Sequence, residues 1–114
     1  MLIKASESEE KKNTDSCTVR EYHFPSKELG FATARIDGRY PDSGKAVNKA
    51  CDQIYFVLSG AGKIHYEGEI FSVEAGDALF FEKGKKYYVE GDTLEIAVIT
   101  APTWFAGQYT AVNE

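Results

Sequence analysis

Residues that favour turns recur about every eight to ten positions along this chain from Cys17 onwards. The stretches between them are short and rich in Val, Ile, Tyr, Phe and Thr, the residue types that suit β-strands. No stretch shows the apolar periodicity of an amphipathic helix over about eleven residues. This spacing predicts an all-β protein, built as a barrel or sandwich of antiparallel strands.

The turn signals also divide the chain into parts. Predicted strands lie at residues 17–24, 30–36, 53–58, 63–67, 69–73, 78–82, 86–90 and 93–100. We therefore expect a polar N-terminal arm at 1–16, a β-barrel at 17–100 and a C-terminal tail at 101–114. The arm is rich in charged residues, so we expect it to be solvated or to add a short edge strand.

Length, composition and charge limit the classes of protein to which this chain can belong. A chain of 114 residues with 43% hydrophobic residues fits one domain with a true core. The net charge of −5 argues against nucleic acid as a partner, and no apolar run is long enough to cross a membrane. The charged N-terminus has no signal-peptide pattern, so we expect a cytoplasmic protein with reduced thiols. A bridge between Cys17 and Cys51 stays open as an alternative.

Two segments carry a specific skeleton of glycines and apolar residues. Residues 53–62 read QIYFVLSGAG, and residues 76–84 read GDALFFEKG. They resemble the two motifs of the cupin superfamily, G-x5-H-x-H-x3-4-E-x6-G and G-x5-P-x-G-x2-H-x3-N. The resemblance implies a small single-domain cupin, whose fold is an antiparallel double-stranded β-helix, or jelly-roll barrel.

The positions where cupins hold a metal ion are filled differently here. Counting from Gly60 places Gln53 at the glutamate, and counting from Gly76 places Tyr87 at the third histidine. The first two histidine positions fall on Val47 and Lys49, or on Ala46 and Asn48. Amide, phenol and ammonium groups are poor ligands for the divalent metals that imidazole and carboxylate bind. We therefore predict that the barrel holds no metal ion and no other cofactor.

The resemblance places the side chains of Gln53, Tyr55 and Tyr87 inside the barrel. Together with Asn48 and Lys49 at the rim, they are the candidate ligand-binding residues. Amides and phenols between aromatic walls suit a small polar ligand, such as a sugar derivative or an organic acid. The alternative is a filled core in which these groups bond to one another.

Other functions also remain open at this point. A metal-free isomerase, epimerase or lyase would use His65 and Tyr87 as acid and base, because they are the one histidine–tyrosine pair that the pattern offers. A metal-dependent cupin oxygenase or isomerase and a purely structural module are the remaining alternatives, since a fold does not determine function.

The outer side of the strand at 53–58 is also apolar. Strand alternation places Ile54, Phe56 and Leu58 on the face opposite Gln53. Leaving these side chains in water would expose a large apolar patch. We therefore expect a homodimer, formed by sheet packing or by strand exchange at the N-terminal arm.

Overall fold

The structure is a computed structural model that describes residues 1–113. The chain is all-β, as predicted, with two short 3-10 helices at Ala5–Glu7 and Ala106–Gln108. Among the residues described, no helix has the length and apolar character of a membrane span. The strands are β1 Glu9–Thr14, β2 Cys17–Tyr22, β3 Gly30–Tyr40, β4 Lys45–Asn48, β5 Asp52–Tyr66, β6 Glu69–Glu74, β7 Ala78–Phe81, β8 Lys86–Ala101 and β9 Tyr109–Val112.

Three long strands, β3, β5 and β8, fold the hydrogen-bonded network into two facing sheets. The first sheet has the order β1-β2-β3-β8-β5-β7 and contains the second half of β8. The second sheet contains the first half of β8, which pairs with β5 on one side and with β4 and the last residues of β3 on the other. Strand β9 extends this sheet beyond β4, and β6 extends it beyond β5. All neighbours are antiparallel, and the curled arrangement is the jelly-roll type of barrel that the cupin resemblance implied.

Glycines allow the long strands to bend where one sheet passes into the other. At Gly60, whose φ is +78°, a Cβ atom would lie 1.9 Å from the carbonyl oxygen of Thr93. At Gly91 a Cβ atom would lie 2.2 Å from the carbonyl oxygen of Ile36. The backbones therefore approach more closely than any side chain permits. The expected turns at 59–62 and 91–92 are thus bends inside continuous strands, and the strand boundaries predicted there were wrong.

The core fills the space next to this bend. Its fully buried side chains are mostly aliphatic and come from β3, β5 and β8: Ile36, Val57, Ile64, Val89, Leu94 and Ile96. The two sheets separate towards the other end, where β5 begins and β8 ends. We call these regions the bend end and the open end.

The terminal segments pair with the sheets. Strand β1 lies within the expected arm and pairs with β2, so that it forms an edge of the first sheet. Strand β9 lies within the expected tail and pairs with β4. Glu114, the last residue of that tail, lies outside the described residues. Cys17 and Cys51 are both buried free thiols.

The first sheet presents large apolar side chains to solvent at its open end. The cross-strand register places Phe31, Ile99, Ile54 and Phe80 in one row across β3, β8, β5 and β7. Phe56 lies two residues further along β5 and is 41% exposed. We call these five residues the apolar outer face. Alternation along the strands predicted its β5 members correctly.

Candidate functional site

A cavity of about 280 Å³ lies between the two sheets at the open end. Its walls combine apolar side chains of the first sheet, such as Ala34 and Val98, with phenols, amides and a hydroxyl. Its polar and aromatic lining residues deep between the strands and in the C-terminal segment include Tyr40, Asn48, Gln53, Tyr55, Tyr87, Thr100, Thr103, Trp104 and Tyr109, and Tyr22, Phe24 and Phe31 also border it. Apolar walls with a few placed polar groups are typical of small-molecule sites.

Two buried phenols, Tyr55 and Tyr87, both pack against the Phe81 ring and against each other. The Tyr55 and Tyr87 rings have centroids 4.6 Å and 4.7 Å from that of Phe81 and 6.3 Å from each other. Burial raises the pKa of Tyr87 to about 12 and also raises the pKa of Tyr55 well above its usual value. Both phenols therefore carry their proton at neutral pH, and each offers a donor and an acceptor.

A second pair of phenols lies further along the cavity wall. The Tyr40 hydroxyl donates to the Tyr109 hydroxyl over 3.1 Å. Burial raises the pKa of both phenols, so this pair is also neutral at pH 7. These strands bring together four uncharged phenols that are far apart in the sequence.

Three amide side chains form a hydrogen-bonded chain at the cavity. Asn48 Oδ1 accepts from Gln108 Nε2 at 2.9 Å and from Trp104 Nε1 at 3.3 Å. Asn48 Nδ2 donates to Gln53 Oε1 at 3.4 Å. Gln108 was missed by the sequence reasoning, because it lies in the tail and no motif marks it. Its role follows from the pairing of β9 with β4, which only the fold reveals.

Two buried polar atoms in the cavity wall lack a hydrogen-bond partner in the protein. They are Gln53 Nε2 and Thr100 Oγ1, and among the side chains described no other buried nitrogen or oxygen shares this property. Gln53 does lie against the Tyr87 phenol, whose pKa burial raises and this contact partly lowers, but no hydrogen bond of good distance and angle joins the two side chains. Gln53 and Thr100 are 5% and 4% exposed, and they pair directly across β5 and β8. A buried polar atom without a partner costs about 1–3 kcal/mol. Hydrogen bonds from a bound molecule to these two atoms would therefore contribute most to its binding free energy.

The predicted ligand-binding residues are brought together with one exception. Gln53, Tyr55, Tyr87 and Asn48 all line the cavity. Lys49 is exposed and is not part of the lining. Of the two spacings considered for the first cupin motif, the one that points to Asn48 thus reaches the cavity.

The structure does not bring His65 and Tyr87 together. Register pairs His65 with Tyr88, and the two rings stack at 3.9 Å on the outer side of the second sheet. His65 Nε2 lies 2.5 Å from Glu90 Oε1, also outside the barrel. Tyr87 directly precedes Tyr88 on β8, so its side chain points inward. The two candidate catalytic residues, His65 and Tyr87, therefore lie on opposite sides of the sheet.

Charged side chains line the cavity only at its edge, where the β1–β2 hairpin lies. Among the lining residues these are Lys11, Glu21 and His23. Lys11 Nζ is paired with Glu21 at 3.0 Å and with Glu9 at 3.3 Å. The part of the cavity around Gln53 is therefore polar but uncharged.

The donor set does not fit the metal ion that many cupins hold. The cavity offers the amides of Asn48 and Gln53 and phenols whose raised pKa disfavours the metal-binding phenolate. Across residues 1–113, no three His, Cys, Asp or Glu side chains form a group able to bind a metal ion.

Comparisons with known proteins agree with this architecture. The sequence profile of the cupin domain matches residues 41–102. A single-residue variant of Streptomyces PAC13, a nucleoside dehydratase, has a known structure with uridine and superposes with a TM-score of 0.88 at 17% identity, over 99% of this chain and 90% of that one. KdgF from Halomonas sp. has a TM-score of 0.75 at 15% identity, over 91% and 96%. A search of curated protein sequences finds no match.

Proposed function

Since the chain belongs to the cupin family, we propose that it binds a small neutral molecule, rich in hydroxyl or carbonyl groups, in the open-end cavity without a metal ion. The observation that carries this proposal is the pair of unpartnered atoms, Gln53 Nε2 and Thr100 Oγ1, in the cavity wall. A core that served packing alone would satisfy or replace such groups.

The size of the cavity supports a ligand larger than water. Its volume of about 280 Å³ lies close to the lower limit of about 300–1,000 Å³ for small-molecule sites. One water molecule occupies about 30 Å³ of liquid. The cavity thus suits a monosaccharide or nucleoside held in part, with its remainder towards the hairpin edge.

The charge of the lining favours a neutral ligand over an organic acid. Lys49, the candidate partner for an anionic group, lies outside the cavity. Lys11, the lysine within the lining, already has two carboxylate partners. Amides and protonated phenols instead match hydroxyl groups, which both donate and accept hydrogen bonds, and carbonyl oxygens, which accept them.

Uridine is the first probe, because it is neutral, bears hydroxyl and carbonyl groups, and is bound by the structurally similar PAC13. Isothermal titration with uridine and with free monosaccharides tests the proposal. We expect binding by the native chain and a loss of about five- to tenfold in Tyr87→Phe, since one hydrogen bond is worth about 1 kcal/mol. The melting temperature of the ligand-free variant, measured alongside, separates this loss from the loss of the contacts that Tyr87 makes with Gln53, Tyr55 and Asn48.

Tyr88→Phe is the matched control, because Tyr88 lies next in the chain but on the outside, stacked on His65. It should bind as the native chain does. If no probe binds, and a crystal structure shows Gln53 and Thr100 bonded only to protein or water, the chain is a structural module and the proposal is wrong.

Catalysis by His65 and Tyr87 forms no part of this proposal, because the sheet separates them. The cavity supports ligand binding, and any reaction in it would first require that binding.

A further inference from the structure

Two hydrogen-bond donors of unambiguous identity lie at the end of the amide chain described above. One is the backbone N–H of Ala50, which donates to Gln108 Oε1 at 3.2 Å. The other is the indole N–H of Trp104, which donates to Asn48 Oδ1 at 3.3 Å. Amide oxygen and nitrogen have similar shapes, so their orientation has to be established from such neighbours.

These two donors fix the orientation of each amide in turn. Because Ala50 N–H requires an acceptor, Gln108 presents Oε1 to it and turns Nε2 towards Asn48. Asn48 then meets two donors, Gln108 Nε2 and the Trp104 indole, and can satisfy both only with Oδ1. Its Nδ2 consequently faces Gln53 and donates to Oε1.

The orientation of Asn48 determines which atom Gln53 offers to a ligand. Its Oε1 is occupied by Asn48, and its Nε2 is the atom without a protein partner in a side chain that lines the cavity. We propose that Trp104 and Gln108, from the C-terminal segment, position Gln53 as a hydrogen-bond donor, so that the ligand must place an acceptor oxygen there. This inference rests on the proposed function and specifies the ligand group that the site recognises.

The reverse orientation is disfavoured by a simple count of donors and acceptors. Turning Gln53 by half a rotation would direct Nε2 at Asn48 Nδ2, so that two donors face each other. Turning Asn48 as well would direct its Nδ2 at the Trp104 indole and at Gln108 Nε2. Each reversed step makes hydrogen-bond donors face one another without an acceptor, which destabilises that orientation. Trp104 and Gln108 are therefore positioning residues, which act on the ligand through Asn48.

Neutron diffraction from crystals of the perdeuterated full chain tests the orientation without any ligand. We expect deuterium on the Gln53 atom that faces the cavity and on the Asn48 atom that faces Gln53. Deuterium on the Gln53 atom that faces Asn48 would overturn the inference. This result does not depend on whether the protein binds uridine.

A pair of solvent probes tests the consequence for binding. Dimethyl sulfoxide only accepts hydrogen bonds at its oxygen, whereas pyrrole donates through its N–H. In NMR titrations that follow the Gln53 side-chain amide, the native chain should bind dimethyl sulfoxide about five- to tenfold more tightly than pyrrole, the discrimination expected from one hydrogen bond.

Variants of the two anchors distinguish positioning from simple packing. Trp104→Phe and Gln108→Leu each leave one anchor in place, so each should keep the preference for dimethyl sulfoxide. The double variant removes both anchors and should lose the preference while still binding both probes. A preference that survives in the folded double variant would contradict the inference, and if that variant does not fold, the neutron structure decides. If neither probe nor uridine binds the native chain, the proposed function fails instead.

Discussion

The open end and the bend end of the first sheet have opposite polarity, although they lie on the same strands. At the bend end, Ile36 and Leu94 pair across β3 and β8 inside the barrel, and Arg35 and Glu95 pair outside. At the open end, Gln53 and Thr100 pair inside, whereas Ile54 and Ile99 pair outside. The bend end thus follows the usual pattern of a solvated sheet, and the open end reverses it.

This reversal indicates where each end finds its partners. The bend end is complete within one chain, because its apolar side chains fill the core and its charges face water. The open end has polar atoms without hydrogen-bond partners on the inside and solvent-exposed apolar side chains on the outside. This chain alone therefore supplies neither the hydrogen bonds inside nor the apolar contacts outside. A ligand on the inside and a second protein surface on the outside would complete it.

The largest effect is expected from a cavity at the bend end. Leu94 is fully buried, so Leu94→Ala should lower the free energy of unfolding by about 2–5 kcal/mol, measured by denaturant titration. The substitution removes buried apolar contacts. The closely packed backbones at the bend have little room to move into the cavity that it leaves. A loss below about 1 kcal/mol would show that the bend end is loosely packed, and the contrast between the two ends would then disappear.

The apolar outer face is expected to bind a second copy of this chain. The face spans β3, β8, β5 and β7, and its members Phe56 and Phe80 are 41% and 54% exposed. The small side chains of Ala78 and Ala97 pair with Phe56 on either side, so bulky side chains of a second copy have room to approach it. An isologous dimer uses the same patch twice, so such a face is self-complementary.

Light scattering should therefore give twice the chain mass of 12.7 kDa at micromolar concentration. Phe56→Lys should weaken the association at least about tenfold, because it places a charge within the apolar outer face. Ile70→Lys is the matched control, since Ile70 is 61% exposed on β6, outside this face, and should leave the dimer intact. A monomeric native chain would contradict the expectation, as would equal effects of both variants.

Much of the fold could be predicted from the sequence, because strand propensity and turn residues are local. The strand starts at Cys17, Gly30 and Ala78 were predicted to the residue. The long strands were divided in error at Gly60 and Gly91, because a glycine that allows a bend inside a strand has the same local signature as one in a turn.

The site was predictable only where alternation and the cupin motifs coincided. They placed Gln53, Tyr55 and Tyr87 in the cavity wall. Thr100 and Gln108 escaped notice because their importance depends on register between distant strands. The sequence also suggested His65 and Tyr87 as an acid–base pair, and this prediction was wrong for the same reason. Only the register of β5 with β8 shows that Tyr88, and not Tyr87, is the neighbour of His65.

The smallest effect, and the most specific, is expected inside the open end at Thr100. When valine replaces a buried threonine whose hydroxyl is hydrogen-bonded, the free energy of unfolding falls by about 1 kcal/mol. Thr100 Oγ1 has no protein partner, so Thr100→Val should leave the free energy of unfolding unchanged or raise it by up to about 1 kcal/mol. The same variant should bind uridine more weakly, because the hydroxyl is then missing from the ligand site. Thr33→Val, two positions from Phe31 on the outer side of β3, should not alter uridine binding. Thermal unfolding with and without uridine measures both quantities, and a destabilised Thr100→Val would mean that the hydroxyl is used by the fold and not by a ligand.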